Sequence, residues 1–584
     1  MLNECLGLNQ RGFTKVDGCF ANNITLETAI AYCRSRAKPY TMIFLDLKKA
    51  FDSISHNSIS RALKRIGLDK NSSAYVMANY RGARTVIKCY GRNVVDLEIM
   101  RGVRQGDPIS PFLFNTVIDE LICKISLISG LQISDRNVSC LAYADDLVLL
   151  ANSIEEGNVL LNICLDFFKA RGLELNVGKC RSITAQTVPP KKKLYVKTSV
   201  CYRVNDIDIP TCDPQSFVKY LGQQFSPFGV KKCTLKELDK QLQLVRRAPL
   251  KMWQKIEIIQ DFVIPKYIAH FQTFRIHKQT LLKADRIVRN HVRKIMHLTL
   301  HCHNAVLHAP RRMGGLGIFS FSAKIPVIII NRHRRLQGIS ETLDSILQLS
   351  ESWIQRIKKL IPSGVRSNKD TDDRFGRELE ASWSGGGISQ LQNCKASNSY
   401  IMNPPKYWKG EDYRKAISLR TNLLPVKSMP SVPVKRRKCR AGCDRNESLS
   451  HILQRCPLTH WKRINRHDFV AKRVKNIAES NGFTVEEEPH IRELSGLLNK
   501  PDLILSKNNE VVIVDVGIHW EGPEPLTTAY DNKIAKYSTP TFLDAIVRRY
   551  ETNSIHTWFF KSRLNIAKRA IHYAYTPHFY ISVL

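Results

Sequence analysis

Long apolar runs are missing from this 584-residue chain. Its most hydrophobic short stretch, Ile325 to Ile330, falls far below the roughly 20 residues that a membrane-spanning helix requires, so no membrane partner is expected. The first residues, MLNECLGLNQRGF, lack the apolar core of a secretory signal. Dense cysteine pairing is missing too. Sixteen cysteines are scattered singly over most of the chain, which without an export signal implies reduced thiols in a cytosolic or nuclear protein. Acidic residues are few beside basic ones: 52 against 89, for a formal net charge of +37. Such a surface attracts polyanions by counterion release, and nucleic acid leads a merely soluble basic protein or an anionic membrane as the explanation. At roughly 100–200 residues per domain, the length predicts three or four units. The basic runs Lys191–Lys193 and Lys435–Lys438 read equally as nuclear-import signals or as plain solvated charge.

Residues 41–47 read TMIFLDL, an apolar β-rich run that predicts a buried strand delivering Asp46 to a cleft. Lys48 to Asp52 then turn the chain into a helix. Further on, CLAYADDLVLL (140–150) sets Asp145 and Asp146 inside an apolar hairpin pattern. Carboxylates flanked by Leu and Val are expensive to bury unless a cation or a hydrogen-bond partner compensates them. A pair of Mg²⁺ ions roughly 3.5–4 Å apart meets that need, one activating a primer 3′-hydroxyl and the other stabilising a triphosphate leaving group. The plainer reading is a hairpin cap at Asp145-Asp146 and a helix cap at Asp46. Between the two acid sites lies RGVRQGDPISP (101–111), followed by a helical pattern from Phe112 to Ile122. Gly102 and Gly106 permit close backbone approach or positive φ, and Pro108 and Pro111 stiffen the helix entry.

In that order, FLDLKKAFD, RGVRQGDPISPFLFN and YADD resemble the palm of reverse transcriptases. Gly172-Leu173 to Lys179 and Lys219-Tyr220-Leu221-Gly222 resemble its two later motifs, and the resemblance covers roughly residues 8–300. It implies that Asp46 and Asp145 are Mg²⁺ ligands, with Asp146 the neighbouring acid. It also implies that Phe51 excludes a ribose 2′-hydroxyl and so favours dNTPs. Gln105 and Gly106 would line the nucleotide and template side, and Lys179 would protonate pyrophosphate unless it is simply a solvated lysine. Gln10-Arg11-Gly12-Phe13 resembles the second block of this family. Most of the fingers expected upstream of it do not precede it, so the chain is expected to be a fragment lacking an N-terminal region.

Residues 235–300 carry Lys, Arg, Leu and Ile at helical spacing, as in ADRIVRNH (284–291), and read as a helical thumb gripping phosphates, as amphipathic core helices, or as both. Gly314-Gly315-Leu316-Gly317 marks a tight turn. Residues 363–400, richer in Gly, Ser, Asp and Asn, predict a flexible or lightly structured connection. Then Cys439-x₃-Cys443-x₇-His451-x₄-Cys456 supplies a complete tetrahedral Zn²⁺ set, with His460 a less compact alternative to His451. Lys435–Lys438, Arg440, Arg455 and Lys462 around it imply a knuckle facing nucleic acid. The spacing is similar to the knuckle that follows the polymerase in non-LTR retrotransposons.

Near the C-terminus, PDLIL (501–505) and VVIVDVG (511–517) are short apolar strands joined through Asn508-Asn509, which is good hairpin-turn chemistry. A turn centred there sets residue 502 opposite 515, with Asp502 and Asp515 Cβ atoms about 4.5–5.5 Å apart. Facing like charges on apolar strands predict a cation between them; the plainer reading is an edge hairpin with solvated acids. A lysine-bearing helix follows at Tyr530–Tyr537. The arrangement PD…D…K resembles restriction-like nucleases, which implies Asp502 and Asp515 as Mg²⁺ ligands and Lys533, ahead of Lys536, as the catalytic lysine. Arg466-His467-Asp468 resembles the basic-His motif of site-specific retrotransposons.

Together these features resemble the R-two-type non-LTR retrotransposon proteins. The expected fold is multidomain α+β: palm with partial fingers (1–234), thumb (235–300), helical linker (301–434), zinc knuckle (435–460) and α/β restriction-like nuclease (461–584). The expected function is target-primed reverse transcription: nicking of genomic DNA, in ribosomal RNA genes, and copying of the element's own RNA from the new 3′-hydroxyl, with cytoplasmic synthesis and nuclear action. The alternative is an inactive or domesticated nucleic-acid-binding relic. A group II intron maturase would carry an HNH-type nuclease, and an RNA-dependent RNA polymerase would lack the bulky Phe51.

Overall fold

The computed structural model describes residues 7, 9–90, 92–188, 193–231, 234–273, 275–299, 301–385, 388, 395–519, 532, 534–550, 554–555 and 580–582. The chain divides into two compact units: Met1–Leu235, Lys266–Leu282 and Phe321–Ser367 in the first; Lys236–Pro265, Lys283–Ser320 and Asn368–Leu584 in the second. No helix of the described residues is long and apolar enough to cross a membrane.

The first unit is organised by an antiparallel five-stranded sheet, in the order Cys140–Tyr143, Asp146–Ala151, Tyr40–Leu45, Arg181–Val188, Lys193–Val196. Tyr40–Leu45 is central and buried along its whole length, as its unbroken apolar run predicts. The two-residue period of a strand sends its side chains to two different cores. Ile43 and Leu45 pack with Leu147 and Leu149 against Leu113, Val117 and Leu121 of the helix Ser110–Ser126 and Leu160 and Cys164 of the helix Ile154–Arg171. Met42 and Phe44 pack with Val148 and Leu150 against Leu26, Ala29 and Ile30 of the helix Gly18–Ser35. Each such buried aliphatic side chain contributes roughly 1.5–3 kcal/mol of transfer free energy. Ile154–Arg171 starts at Ser153, whose Oγ accepts from Glu156 N at 3.2 Å, and stops at Gly172 with φ of +75°. Both ends are set by local chemistry.

The segment expected to form a thumb is helical at Leu235–Arg247, Met252–Ile258, Ile264–Phe271 and Lys278–Met296, and its residues divide between the two units. The connection expected to be lightly structured at 363–400 contains a 14-residue helix, Asn368–Ala381. Its polar composition hides a narrow buried stripe of Thr371, Phe375, Gly376 and Leu379; four small contacts per four turns are enough for a helix that a partner surface covers.

In the second unit the C-terminal segment forms a four-stranded sheet in the order Thr484–Glu487, Leu503–Lys507, Glu510–Val514, Ser554–Ile555. One face packs Leu503, Leu505 and Val514 against Val470, Val474 and Ala478 of the helix His460–Ser480. The other packs Ile504, Val511 and Ile513 against Tyr537, Phe542 and Ile546. The Asn508-Asn509 turn forms where the sequence places it, with φ of +48° and +62°, the pair of positive values that twists two strands into a tight hairpin.

Candidate active sites

The register of the central sheet decides where the first group of acids goes. Leu45 pairs with Leu147, so one step further along the two strands stand Asp46 and Asp146. Asp145 sits in the turn of the adjoining hairpin, where Tyr143 pairs with Asp146. Three carboxylates thus meet at one end of one sheet. Burial pushes the Asp146 carboxyl up to about 6, and the charges of Asp145 and Asp46 push it the same way against the opposing pull of Lys219. Asp145 is also raised, by burial first, with the Asp46 charge adding to it against a backbone hydrogen bond. Lys179 Nζ lies 3.9 Å from Asp46 Oδ2 on a largely exposed side chain. Crowded, half-desolvated carboxylates of this kind favour either protonation or a bound multivalent cation.

The intervening motif is strapped to the chain just after Asp46. Gly102 N donates to Ile54 O at 2.7 Å and Val103 N to Phe51 O at 2.7 Å, while Gln105 Nε2 donates to Asp52 Oδ1 at 2.9 Å. Gly102 has φ of +94°, and a Cβ there would stand 2.9 Å from Asp52 Cα, so both reasons for a glycine apply at once. Gly106 also has positive φ, at +90°. Phe51 stacks on Phe114 with ring centroids 4.5 Å apart and planes at 16°. The bonds from Val103 N and Gln105 thus hold the motif against Phe51 and Asp52.

Behind the acid hairpin stands a buttress of which the sequence shows only Gln10 to Gly12, as part of a family block, and not Asn22. Ala144 holds φ of +54°, an unfavourable conformation for a residue with a Cβ. Gln10 Oε1 accepts from Ala144 N at 3.0 Å and from Gly12 N at 3.0 Å. Arg11 N donates to Ala142 O at 3.1 Å, and a Cβ at Gly12 would collide with the Ala144 backbone. The Arg11 guanidinium is buried and donates to Asn22 Oδ1 at 3.0 Å, and Asn22 in turn donates to Ala142 O at 3.0 Å and to Tyr220 Oη at 3.1 Å. A run of buried polar residues before a helix is the one sequence signal that marks it, and that signal does not say what they touch.

In the second unit, ligand atoms of Cys439, Cys443, His451 and Cys456 all lie within 4.8 Å of one another. Cys456 Sγ is 3.9 Å from Cys439 Sγ and 3.8 Å from Cys443 Sγ, with all three thiols free. Both His451 ring nitrogens are buried and have no hydrogen-bond partner among the described residues, an expense unless a metal takes one of them. His460 instead shares its Nδ1 with Arg463 Nη2 at 3.1 Å. The loop between the ligands is held by Glu447, which accepts from Arg440 N at 3.0 Å, Arg440 Nη2 at 2.6 Å and Lys427 N at 3.1 Å. The Arg440 hydrogen bonds outweigh burial and hold Glu447 down to about 2.

The hairpin of the C-terminal sheet pairs Leu503 with Val514, so Asp502 and Asp515 follow in the register that the sequence predicts. His467 Nε2 is 3.1 Å from Asp502 Oδ2, and Val516 N donates to the same oxygen. The Asp502 contact pushes His467 up to about 9 against the effect of burial. Burial raises Asp502, but the His467 and Val516 hydrogen bonds prevail and hold it below its ordinary value. Asp515 is buried. Tyr537 donates to Lys500 O at 3.3 Å and accepts from Lys536 Nζ at 3.0 Å; burial and then the charges of Asp515 and Asp502 raise its hydroxyl. Lys533 lies outside the described residues. Lys536 is thus linked to the acid pair through Tyr537.

Two tests follow from these contacts. Gln10→Met keeps the volume but removes the acceptor for Ala144 N, leaving a buried amide unpaired at a cost of about 1–3 kcal/mol. Chemical unfolding of Gln10→Met is expected to show a stability loss of about that size; stability equal to wild type sinks the buttress. Glu447 has a folded-state value below its unfolded one, so it contributes stability above the ordinary carboxylate range that is lost as pH falls through about 2. Thermal melting of Glu447→Gln should therefore lie below wild type at neutral pH, and the gap should close on acidification. A gap that is the same at every pH would contradict the assignment.

Residues 2–225 match the family model described as reverse transcriptase (RNA-dependent DNA polymerase). A retrovirus-related Pol polyprotein from type-1 retrotransposable element R2 of Popillia japonica is 36% identical over 550 residues, covering 93% of this chain and 76% of that protein. A second protein of that description from the same organism is 42% identical over 417 residues, 71% of this chain and 86% of the relative. The Pol polyprotein from type-2 retrotransposable element R2DM of Drosophila melanogaster is 32% identical over 552 residues, 93% of this chain and 52% of that protein. The chain belongs to the Pol polyproteins of R2 retrotransposable elements, and its first unit carries their reverse transcriptase.

Proposed function

We propose that the reverse transcriptase of this chain works together with a DNA-nicking endonuclease in its second unit, the nick in genomic DNA priming synthesis on the element's RNA. The observation that carries the reading is the repetition of one device. At Asp46/Asp145/Asp146 and again at Asp502/Asp515, strand register brings carboxylates together at the end of an apolar sheet.

In the polymerase site, Asp46 and Asp145 would hold Mg²⁺, with Asp146 adding charge beside them; the bound metal would supply a lowered pKa at a primer 3′-hydroxyl and charge stabilisation at the leaving pyrophosphate. Phe51, stiffened by its stack on Phe114, forms the wall that a ribose 2′-hydroxyl meets. Gln105 and Gly106 line the dNTP and template side, with the Gln105 amide positioned by Asp52. Lys179, whose Nζ is 3.9 Å from Asp46 Oδ2, would pass a proton to pyrophosphate.

In the nuclease site, Asp502 and Asp515 would hold Mg²⁺, His467 orients Asp502, and a lysine that follows in the chain, Lys533 or Lys536, stabilises charge developing on the scissile phosphate. The Tyr537 hydroxyl, bridging from Lys536 toward the acids, supports a part for that helix. The four-residue cluster takes structural Zn²⁺. Tetrahedral Zn–S bonds of about 2.3 Å put sulfurs about 3.8 Å apart, and the Cys456 sulfur lies 3.8 and 3.9 Å from its two neighbours. The basic surface of +37 suits the template RNA and target DNA as partners. Resemblance to site-specific elements supports insertion into ribosomal RNA genes, and hence action in the nucleus.

Primer extension on an RNA template with Mg²⁺ and dNTPs should be robust in wild type and fall by on the order of 10²–10³ or more in Asp145→Ala. Silence in wild type would instead favour a nucleic-acid-binding relic. Asp515→Ala should retain that extension while losing the ability to nick supercoiled plasmid carrying the target. Equal nicking by the variant and wild type would remove the endonuclease from this site.

A further inference from the structure

A strained aromatic residue stands beside the polymerase acids. Phe13 holds φ of +53°, a conformation that a bulky residue rarely adopts. Its ring is nonetheless 58% exposed, so burial of the ring does not explain the strain. The loop that carries it is held from several directions. Gly12 N donates to Gln10 Oε1 at 3.0 Å, Gly12 O accepts from Nδ2 of the buried Asn115 at 2.6 Å, and Thr14 Oγ1 donates to Arg11 O at 3.2 Å. A Cβ at Gly12 would stand 2.4 Å from Ala144 N, so the loop lies directly on the turn that presents Asp145. Backbone strain that its surroundings over-determine clusters where a ligand is held.

The position of the ring along the end of the sheet says which ligand. Gln10 pairs in parallel with Ala142, which sets its segment outside the edge strand Cys140–Tyr143. The Phe13 ring lies 6.2 Å from the Tyr143 ring, with planes at 38°. On the far side of the acids, Asn176 N donates to Asp46 O at 2.7 Å, and Lys179 Nζ lies 3.9 Å from Asp46 Oδ2. The order across the sheet is therefore Phe13, Tyr143, the pair Asp145 and Asp146, Asp46, Lys179.

Nucleotidyl transfer is an in-line displacement, with the attacking and leaving oxygens on opposite sides of the phosphorus. With pyrophosphate leaving toward Lys179, the attacking 3′-hydroxyl comes from the Phe13 side, and that hydroxyl belongs to the last nucleotide of the primer. The incoming triphosphate fits this side less well. The Tyr143 hydroxyl is bonded to the Cys19 thiol and faces the charge of Asp17, which is itself paired with Arg332 at 2.7 Å. An apolar ring among such groups suits the C–H surface of a sugar and base.

We propose that Phe13 is the seat of the primer's terminal nucleotide: its ring packs against that sugar and base and holds the 3′-hydroxyl at the Asp145-Asp146 turn. Phe13 is thus a positioning residue of the reverse transcriptase, and the direction of approach rests on the role given to Lys179.

The test irradiates the full chain bound to an RNA template and a DNA primer ending in 4-thiothymidine, without dNTPs. Adducts are expected on the peptide that contains Phe13. Phe13→Gly removes the ring and relieves the backbone, so it should melt at or above the wild-type temperature. Its KM for primer–template should nevertheless rise by on the order of tenfold, the size of one aromatic–nucleotide contact, with the KM for dNTPs unchanged. Phe13→Tyr keeps the ring and should restore the wild-type KM. If glycine lowers the melting temperature, Phe13→Ala makes the same comparison on the original backbone. A wild-type primer–template KM in the variant without the ring overturns the proposal and leaves the role of Lys179 standing. So do adducts that form only from 4-thiouridine placed in the template strand. Primer adducts on the peptide that contains Lys179 reverse the direction of the displacement, and both fall together.

Discussion

Like charges forced together at the end of a sheet are the constraint from which the rest of this structure can be understood. Asp46 and Asp146 stand side by side because their strands pair at Leu45 and Leu147, and Asp145 is held next to them by a tight turn. Burial and mutual repulsion raise Asp145 and Asp146 above the ordinary carboxylate range. The sheet therefore has to be stable enough to keep the acids in place. Its central strand is buried on both faces and covered by helices on each. The apolar material lies where it opposes the electrostatic cost, and a multivalent cation bound there would relieve the remainder.

Rigidity at the hairpin comes from polar contacts rather than from the apolar core. Gln10, Arg11 and Asn22 lie behind the turn and bond its backbone, so an otherwise unfavourable φ at Ala144 is over-determined by its neighbours. The same economy recurs in the cysteine cluster, where Glu447 collects donors from Arg440 and Lys427 and gives a small loop the order that a small core does not. Asp502 repeats the theme, accepting from His467 and from Val516 N. In each case a carboxylate or amide acceptor gathers several N–H groups, and the loop it gathers holds groups that can meet a cation.

Much of the site could be read from the amino-acid order because strands have a period of two and turns have strong residue preferences. TMIFLDL announced a strand ending in an acid, and the Asn508-Asn509 turn determined the pairing of 502 with 515 by arithmetic alone. The four zinc-type ligands were legible from spacing, since a chain can close so small a loop in few ways. The helix Asn368–Ala381 was not legible, because its buried stripe is narrow and its composition resembles a loop. Nor was the make-up of each unit, which gathers segments distant in sequence.

Local order along the chain thus determined which residues lie on strands, which glycines must turn and which acids face each other within a hairpin. All of these depend on interactions over a few residues. Tertiary structure alone decided that Gln10 would support Ala144 and that Tyr32, Arg275 and Trp353 would surround one cavity. Those pairings join positions tens to hundreds of residues apart, and only the packing of whole helices and sheets selects among the many partners each side chain could have had.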